Sequence, residues 1–261
     1  MGVPIVGRGH ELAQLRAALV AASGGAGRLV LVSGEPGIGK TRLTSAVMEI
    51  AGEYDVPVAA GCAIDDPGMP PLWPWREVGR SVPALAGVLD GAGSAAGSPA
   101  AADSASARFV MFAAACQALA GAAAERGLLV VLEDLQWADR TSLLLRHLAG
   151  DLARTRLLVV ATFRETTDAP LAGLLPALLR ADGTRPIRLT GLSRPDIARW
   201  LQWLETVDDV DGQAGRLWAG TGGNPLFVRM IVERDASATD DGLSGFPELR
   251  HLVLAQLGPA G

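Results

Sequence analysis

Residues 29–42 read Leu29-Val30-Leu31-Val32-Ser33-Gly34-Glu35-Pro36-Gly37-Ile38-Gly39-Lys40-Thr41-Arg42. The first five residues have strand character, and the pattern GxxxxGKT follows at once. Leu43, Val47 and Ile50 then fall on one face of a helix. Glycines in such a loop let the backbone wrap so that its N–H groups point inward at phosphate oxygens. The helix behind adds unpaired amides and a positive dipole end. Lys40 is expected to reach the β- and γ-phosphates, and Thr41 to ligate Mg²⁺. A random match to this pattern is expected about once in a thousand chains of this composition.

Composition sharpens the reading of Lys40. The chain has 261 residues and 23 basic side chains. All of the basic residues but Lys40 are arginine. An arginine fork does not fit where a compact ammonium must sit between phosphates, which explains a lysine kept in a chain that otherwise avoids it.

Strands are expected at Leu29–Ser33, Val56–Cys62, Leu128–Glu133, Leu157–Thr162 and Pro186–Thr190, separated by helical patterns. Apolar strands alternating with helices predict an α/β fold, a five-stranded parallel sheet covered on both faces. The nucleotide-binding domain would span 1–190. After Thr190 the strand signals stop. Ser193 reads as a helix cap, a second helix is expected at Gln213–Ala219, and a third starts at Asn224-Pro225. These form a helical lid at 191–232. Residues 233–261 read as a linker and the start of a following domain. Gly91–Ser106, rich in Gly, Ala and Ser, reads as a flexible loop. Phe109–Ala124 reads as a packed helix and not as a membrane span.

The strand Leu128–Glu133 ends in Glu133-Asp134. Carboxylates at the tip of a parallel strand lie where open α/β sheets bind ligands. One acid can hold Mg²⁺ and the other orient an attacking water, and the sequence leaves open which does which. Thr162-Phe163-Arg164 ends the fourth strand, where Arg164 could report whether a γ-phosphate is bound. The six tryptophans read as core or interface. Cys62 and Cys116 are too far apart for a CxxC pair and read as core thiols in a reducing, cytoplasmic setting. The net charge of −5 argues against a DNA-coating domain.

Val6-Gly7-Arg8 with Glu11-Leu12, GEPGIGKTRL, VLEDLQWAD at 131–139, LLVVATFRE at 157–165 and TGGNPLFV at 221–228 together resemble the STAND signalling ATPases. The nearest pattern is the AAA-like N-terminal ATPase domain of large ATP-binding LuxR-type regulators of actinobacteria. The resemblance implies an ATP/ADP switch with slow hydrolysis. Val6, Gly7, Arg8 and Pro225 would border adenine. Gly34, Pro36, Gly37, Ile38, Gly39, Lys40, Thr41 and Arg42 would cradle phosphates, with Thr162 and Arg164 as sensor. Catalysis would rest on Lys40, Glu133, Asp134 and Arg164, and Mg²⁺ on Thr41, Glu133 and Asp134. Self-association in the ATP state, further domains in a longer chain, DNA contact only through a C-terminal helix-turn-helix, and no membrane contact are also implied. The sequence departs from the family pattern at Glu133, where Asp is usual, at Gly9-His10 and at Gln136. A nucleic-acid loader of the AAA type is the alternative, and a P-loop small-molecule kinase a more distant one, since the lid arginines Arg194, Arg199, Arg216 and Arg229 read as solvated surface.

Overall fold

The computed structural model describes residues 5–94, 105–137, 141–164, 171–204 and 209–237. Five strands form one sheet: β1 Arg28–Ser33, β2 Val58–Cys62, β3 Leu128–Glu133, β4 Leu157–Phe163 and β5 Thr184–Arg188. Their order is β2-β3-β4-β1-β5, and every neighbouring pair is parallel. Alternate residues face opposite sides of a strand, so an apolar run buried on both faces feeds two cores at once. Leu29, Leu31, Val130, Leu132 and Val159 enter one core with Trp75, Leu85 and Leu119. Val30, Val32, Leu129, Val131 and Val160 enter the other with Leu15, Leu43 and Val47.

The helices are α1 Gly9–Ser23, α2 Lys40–Glu53, α3 Trp73–Ser81, α4 Pro83–Ser94, α5 Ala105–Ala123, α6 Thr141–Ala149 and α7 Leu175–Arg180. Three more form the lid: α8 Arg194–Leu204, α9 Val210–Thr221 and α10 Pro225–Ser237. The lid has its own small core of Leu192, Ile197, Trp200, Leu201, Ala214, Leu217 and Val228, with Val6 packed against it. Ser193 and Asp196 cap α8 reciprocally: the Ser193 hydroxyl accepts from Asp196 N at 3.3 Å, and Asp196 Oδ2 accepts from Ser193 N at 3.2 Å.

Several boundaries differ from the sequence reading. The fifth strand starts two residues early, at Thr184, because the turn at Gly183 (φ +83°) delivers the chain into register with Leu29. Pro186 is tolerated within it because β5 is an edge strand. The second strand starts at Val58, since Val56 N closes the end of α2 on Ala51 O. Helix α9 begins at Val210, not Gln213, because Asp209 caps it through Gly212 N at 3.0 Å. The expected loop at 91–106 is helical at 91–94 and at 105–106, and 95–104 lie outside the described residues. Helix α10 runs past residue 232 to Ser237, and the linker and following segment from 238 onward lie outside the described residues. Helix α5 buries Phe112, Ala115, Leu119 and Ala123 and leaves Phe109 and Val110 exposed. By length and composition alone it could cross a membrane.

Candidate functional site

The tips of β1, β3 and β4 and the lid meet over the loop 34–41. Gly37 (φ +75°) and Gly39 (φ +103°) hold the left-handed conformations that bend this loop. Arg8 fixes it from below. Its Nη2 donates to Ile38 O at 3.0 Å and to Thr190 O at 2.7 Å, and its Nη1 lies 3.5 Å from Glu11 Oε1. Lys40 is 7% exposed, and its Nζ donates to Gly34 O at 2.9 Å and Glu35 O at 3.1 Å. Burial pulls the Lys40 ammonium below its ordinary value, Asp134 opposes that shift and Arg164 adds to it. Asp134 and Arg164 thus lie close enough to Lys40 for its ammonium to feel both charges.

Asp134 has a left-handed backbone (φ +55°), uncommon outside glycine. Its amide donates to the buried Thr162 hydroxyl at 3.1 Å, and its Oδ1 accepts from Gln136 Nε2 at 3.0 Å. Gln136 Oε1 in turn accepts from Arg164 N at 3.1 Å. Arg164 carries its guanidinium 5.9 Å from the Trp137 ring centroid, and its Nε is buried with no hydrogen-bond partner among the described residues. Glu133 points elsewhere: its Oε1 accepts from the buried Thr44 hydroxyl at 2.5 Å.

The lid sits directly on the loop. Asn224 Nδ2 donates to Pro36 O at 3.0 Å, Leu226 N donates to Gly37 O at 3.3 Å, and Asn224 Oδ1 caps α10 by accepting from Leu226 N at 3.1 Å. A cavity of about 570 Å³ lies between lid and loop. Of the candidate residues, Val6, Arg8, Pro36, Gly37, Ile38, Gly39, Lys40, Thr41, Arg42, Asp134, Arg164 and Pro225 line it. Gly7, Gly34, Glu133 and Thr162 do not. A methyl on Gly7 would stand 2.7 Å from Asp196 Cγ, so that glycine lets the N-terminal segment pass the lid. Sequence reasoning missed Ile5, Leu43, Leu192, Trp200, Leu226 and Arg229, which complete the wall. Arg229 lies one turn after Pro225 on α10 and pairs with Glu233 at 2.6 Å. That i, i+4 spacing from Pro225 was the signal available. No group of three or more His, Cys, Asp or Glu among the described residues is arranged to hold a metal ion by itself.

A cavity of this size, apolar at the lid end and cationic at the loop end, suits a ligand with a flat apolar head and a polyanionic tail. Residues 4–160 match the family described as the AAA ATPase domain. Among solved structures, the chain resembles the ORC1 protein of Aeropyrum pernix in complex with DNA (15% identity, TM-score 0.55, covering 93% of this chain and 63% of that one). It also resembles the ORC2 protein of Aeropyrum pernix in ADPNP–ADP complexes (17%, 0.56, 90% and 63%). A third similar structure is AMPPCP-bound DnaA from Aquifex aeolicus (16%, 0.53, 91% and 67%). At these identities the likeness is one of fold, and the chain spans 63% of the length of each Aeropyrum protein. No curated protein matches the chain by sequence.

Proposed function

The chain belongs to the AAA ATPase domain family, and we propose that this ATPase works as a slow ATP/ADP switch in the cytoplasm, within a larger STAND-class, LuxR-type transcriptional regulator. The observation that carries this reading is the lid resting on the phosphate loop through Asn224 and Leu226. A lid bonded to the backbone that cradles phosphates can change its angle when the tail changes. A ligand shifts such an equilibrium only by its difference in affinity for the two states.

In this reading Lys40 binds the β- and γ-phosphates, and the backbone from Gly34 to Thr41, with Arg42 beside it, wraps the tail. Val6, Gly7, Arg8 and Pro225 enclose the adenine end. Magnesium suits the Thr41 hydroxyl and the Asp134 carboxylate, which face one cavity. When bound, the ion neutralises charge across the phosphates. Glu133, held by Thr44 outside the cavity wall, serves metal or water only on letting go of that hydroxyl. Thr162 fixes the backbone of Asp134, and Arg164 senses the γ-phosphate with Gln136 holding its amide. In the longer protein the ATP state favours self-association, and DNA contact belongs to a domain beyond residue 261.

The test is Arg164→Ala. The ratio of ATP to ADP affinity should fall by about ten- to a hundred-fold, the loss of one charge-assisted contact. An unchanged ratio removes Arg164 from the switch. A second reading, a nucleic-acid loader, is favoured by the fold shared with the DNA-bound ORC1 protein and with DnaA. It requires salt-dependent DNA binding by these 261 residues themselves. The net charge of −5 opposes that, and DNA-binding titrations at two salt concentrations decide between the readings.

A further inference from the structure

The chain turns sharply where β3 ends. Asp134 takes its left-handed conformation there, and Trp137 N donates to Asp134 O at 3.1 Å, which closes the short turn Leu135–Trp137. Leu135 is fully buried in the sheet core and anchors that turn. Gln136, only 6% exposed, is thereby held between the ends of β3 and β4.

A buried glutamine needs partners at both ends of its amide. Gln136 finds them on two different elements: Nε2 donates to Asp134 Oδ1 at 3.0 Å, and Oε1 accepts from Arg164 N at 3.1 Å. A carboxylate oxygen accepts and a backbone N–H donates, so the amide has a single orientation; flipped, it would oppose both partners. The bond from Asp134 N to the Thr162 hydroxyl closes a ring. It runs from Asp134 to Thr162, along the chain to Arg164, and back through Gln136. The same turn also reaches the side chain of Arg164. The guanidinium lies 5.9 Å from the ring centroid of Trp137, the residue after Gln136, while Arg164 Nε has no hydrogen-bond partner among the described residues. The acid and both groups that touch the sensor therefore sit within four consecutive residues.

We infer that Gln136 is a positioning residue that couples the acid to the sensor: a shift of the Asp134 carboxylate is passed through one amide to the backbone of Arg164. The inference rests on the reading of Arg164 as the γ-phosphate sensor and adds what sets its position. Coupling of this kind is reciprocal, so a γ-phosphate drawn to Arg164 also acts on Asp134.

Calorimetry of ATP and ADP binding to the 261-residue chain, with a chelator present so that no metal ion takes part, gives the affinity ratio. Gln136→Met fills the same space with neither hydrogen bond and should lower that ratio about three- to ten-fold. Gln136→Leu is the second variant should the first fail to fold, as thermal melts decide. Asp134→Gly removes the carboxylate and keeps the left-handed backbone. Its effect on the ratio should differ by about three-fold or more between the wild-type and Gln136→Met backgrounds, because the path from acid to sensor is cut in the second. An unchanged ratio in a folded Gln136 variant, or one and the same effect of Asp134→Gly in both backgrounds, overturns the inference. Arg164→Ala measured beside them separates two failures. If it lowers the ratio and Gln136→Met does not, the coupling alone fails. If it too leaves the ratio unchanged, the switch reading falls and the coupling with it.

Discussion

Replacing Lys40 by alanine is expected to remove the thermal stabilisation that magnesium-ATP gives the wild-type chain. Lys40 is the only lysine, is nearly buried, and stands at the first turn of α2 with its ammonium against the loop carbonyls. Burial makes that charge unfavourable in the fold alone. Its location is explained if a polyanion compensates it. Ligand at a hundred times its Kd stabilises a folded protein by about 2.7 kcal/mol. For a chain of this size that is a rise in Tm of roughly 5–10 °C. The variant should show none of it. Its nucleotide-free melt is a fair control, because Lys40 belongs to neither sheet core. A full shift in Lys40→Ala would mean the phosphate site is elsewhere.

The second large effect is expected from Gly223→Val. Gly223 has φ +77°, and a methyl there would lie 2.1 Å from Leu192 O and 2.8 Å from Leu192 N. Both are backbone atoms, so no side chain can move aside. The left-handed conformation costs a branched residue about 1–2 kcal/mol or more in addition. The turn 221–226 must therefore lift away from residues 191–192, breaking the bond from Leu192 N to Gly223 O at 2.7 Å. Asn224, Pro225 and Leu226 move with it and leave the loop. Nucleotide affinity should fall at least ten-fold, about 1.4 kcal/mol, while the sheet stays folded. Calorimetry with ATP beside circular dichroism measures both quantities. Wild-type affinity in a folded Gly223→Val chain would separate the lid from nucleotide binding.

The strands were legible where burial on both faces left unbroken apolar runs, as at Leu128–Leu132 and Leu157–Ala161. β5 begins two residues before the expected Pro186 because Thr184 is polar and Arg185 exposed on an edge strand, and neither carries such a signal. The loop 34–41 was legible because its chemistry is local: the glycines, the lysine and the threonine lie within eight consecutive residues. Contacts that close in space across the whole chain were not. Nothing near Arg8 announces that it donates to Thr190 O; Asn224 is legible as the cap of α10, but nothing near it announces that its amide also reaches Pro36 O. The direction of Glu133 was equally hidden. Sequence places it at the strand tip beside Asp134, but its carboxylate is drawn to Thr44 by a hydroxyl one turn into α2. Trp200 reads as core from its helical spacing, and it does pack in the lid core, yet the same side chain forms part of the cavity wall.

Whether the Lys40 pocket takes the tail of a nucleoside triphosphate is read most directly from Lys40 itself. With a single lysine in the chain, isotope-labelled lysine gives one backbone amide resonance, reporting on that residue alone. Titrating magnesium-ATP should move this resonance saturably, with the same Kd that calorimetry gives. A resonance that stays in place while calorimetry records ATP binding, or no ATP binding by either method, would contradict the account.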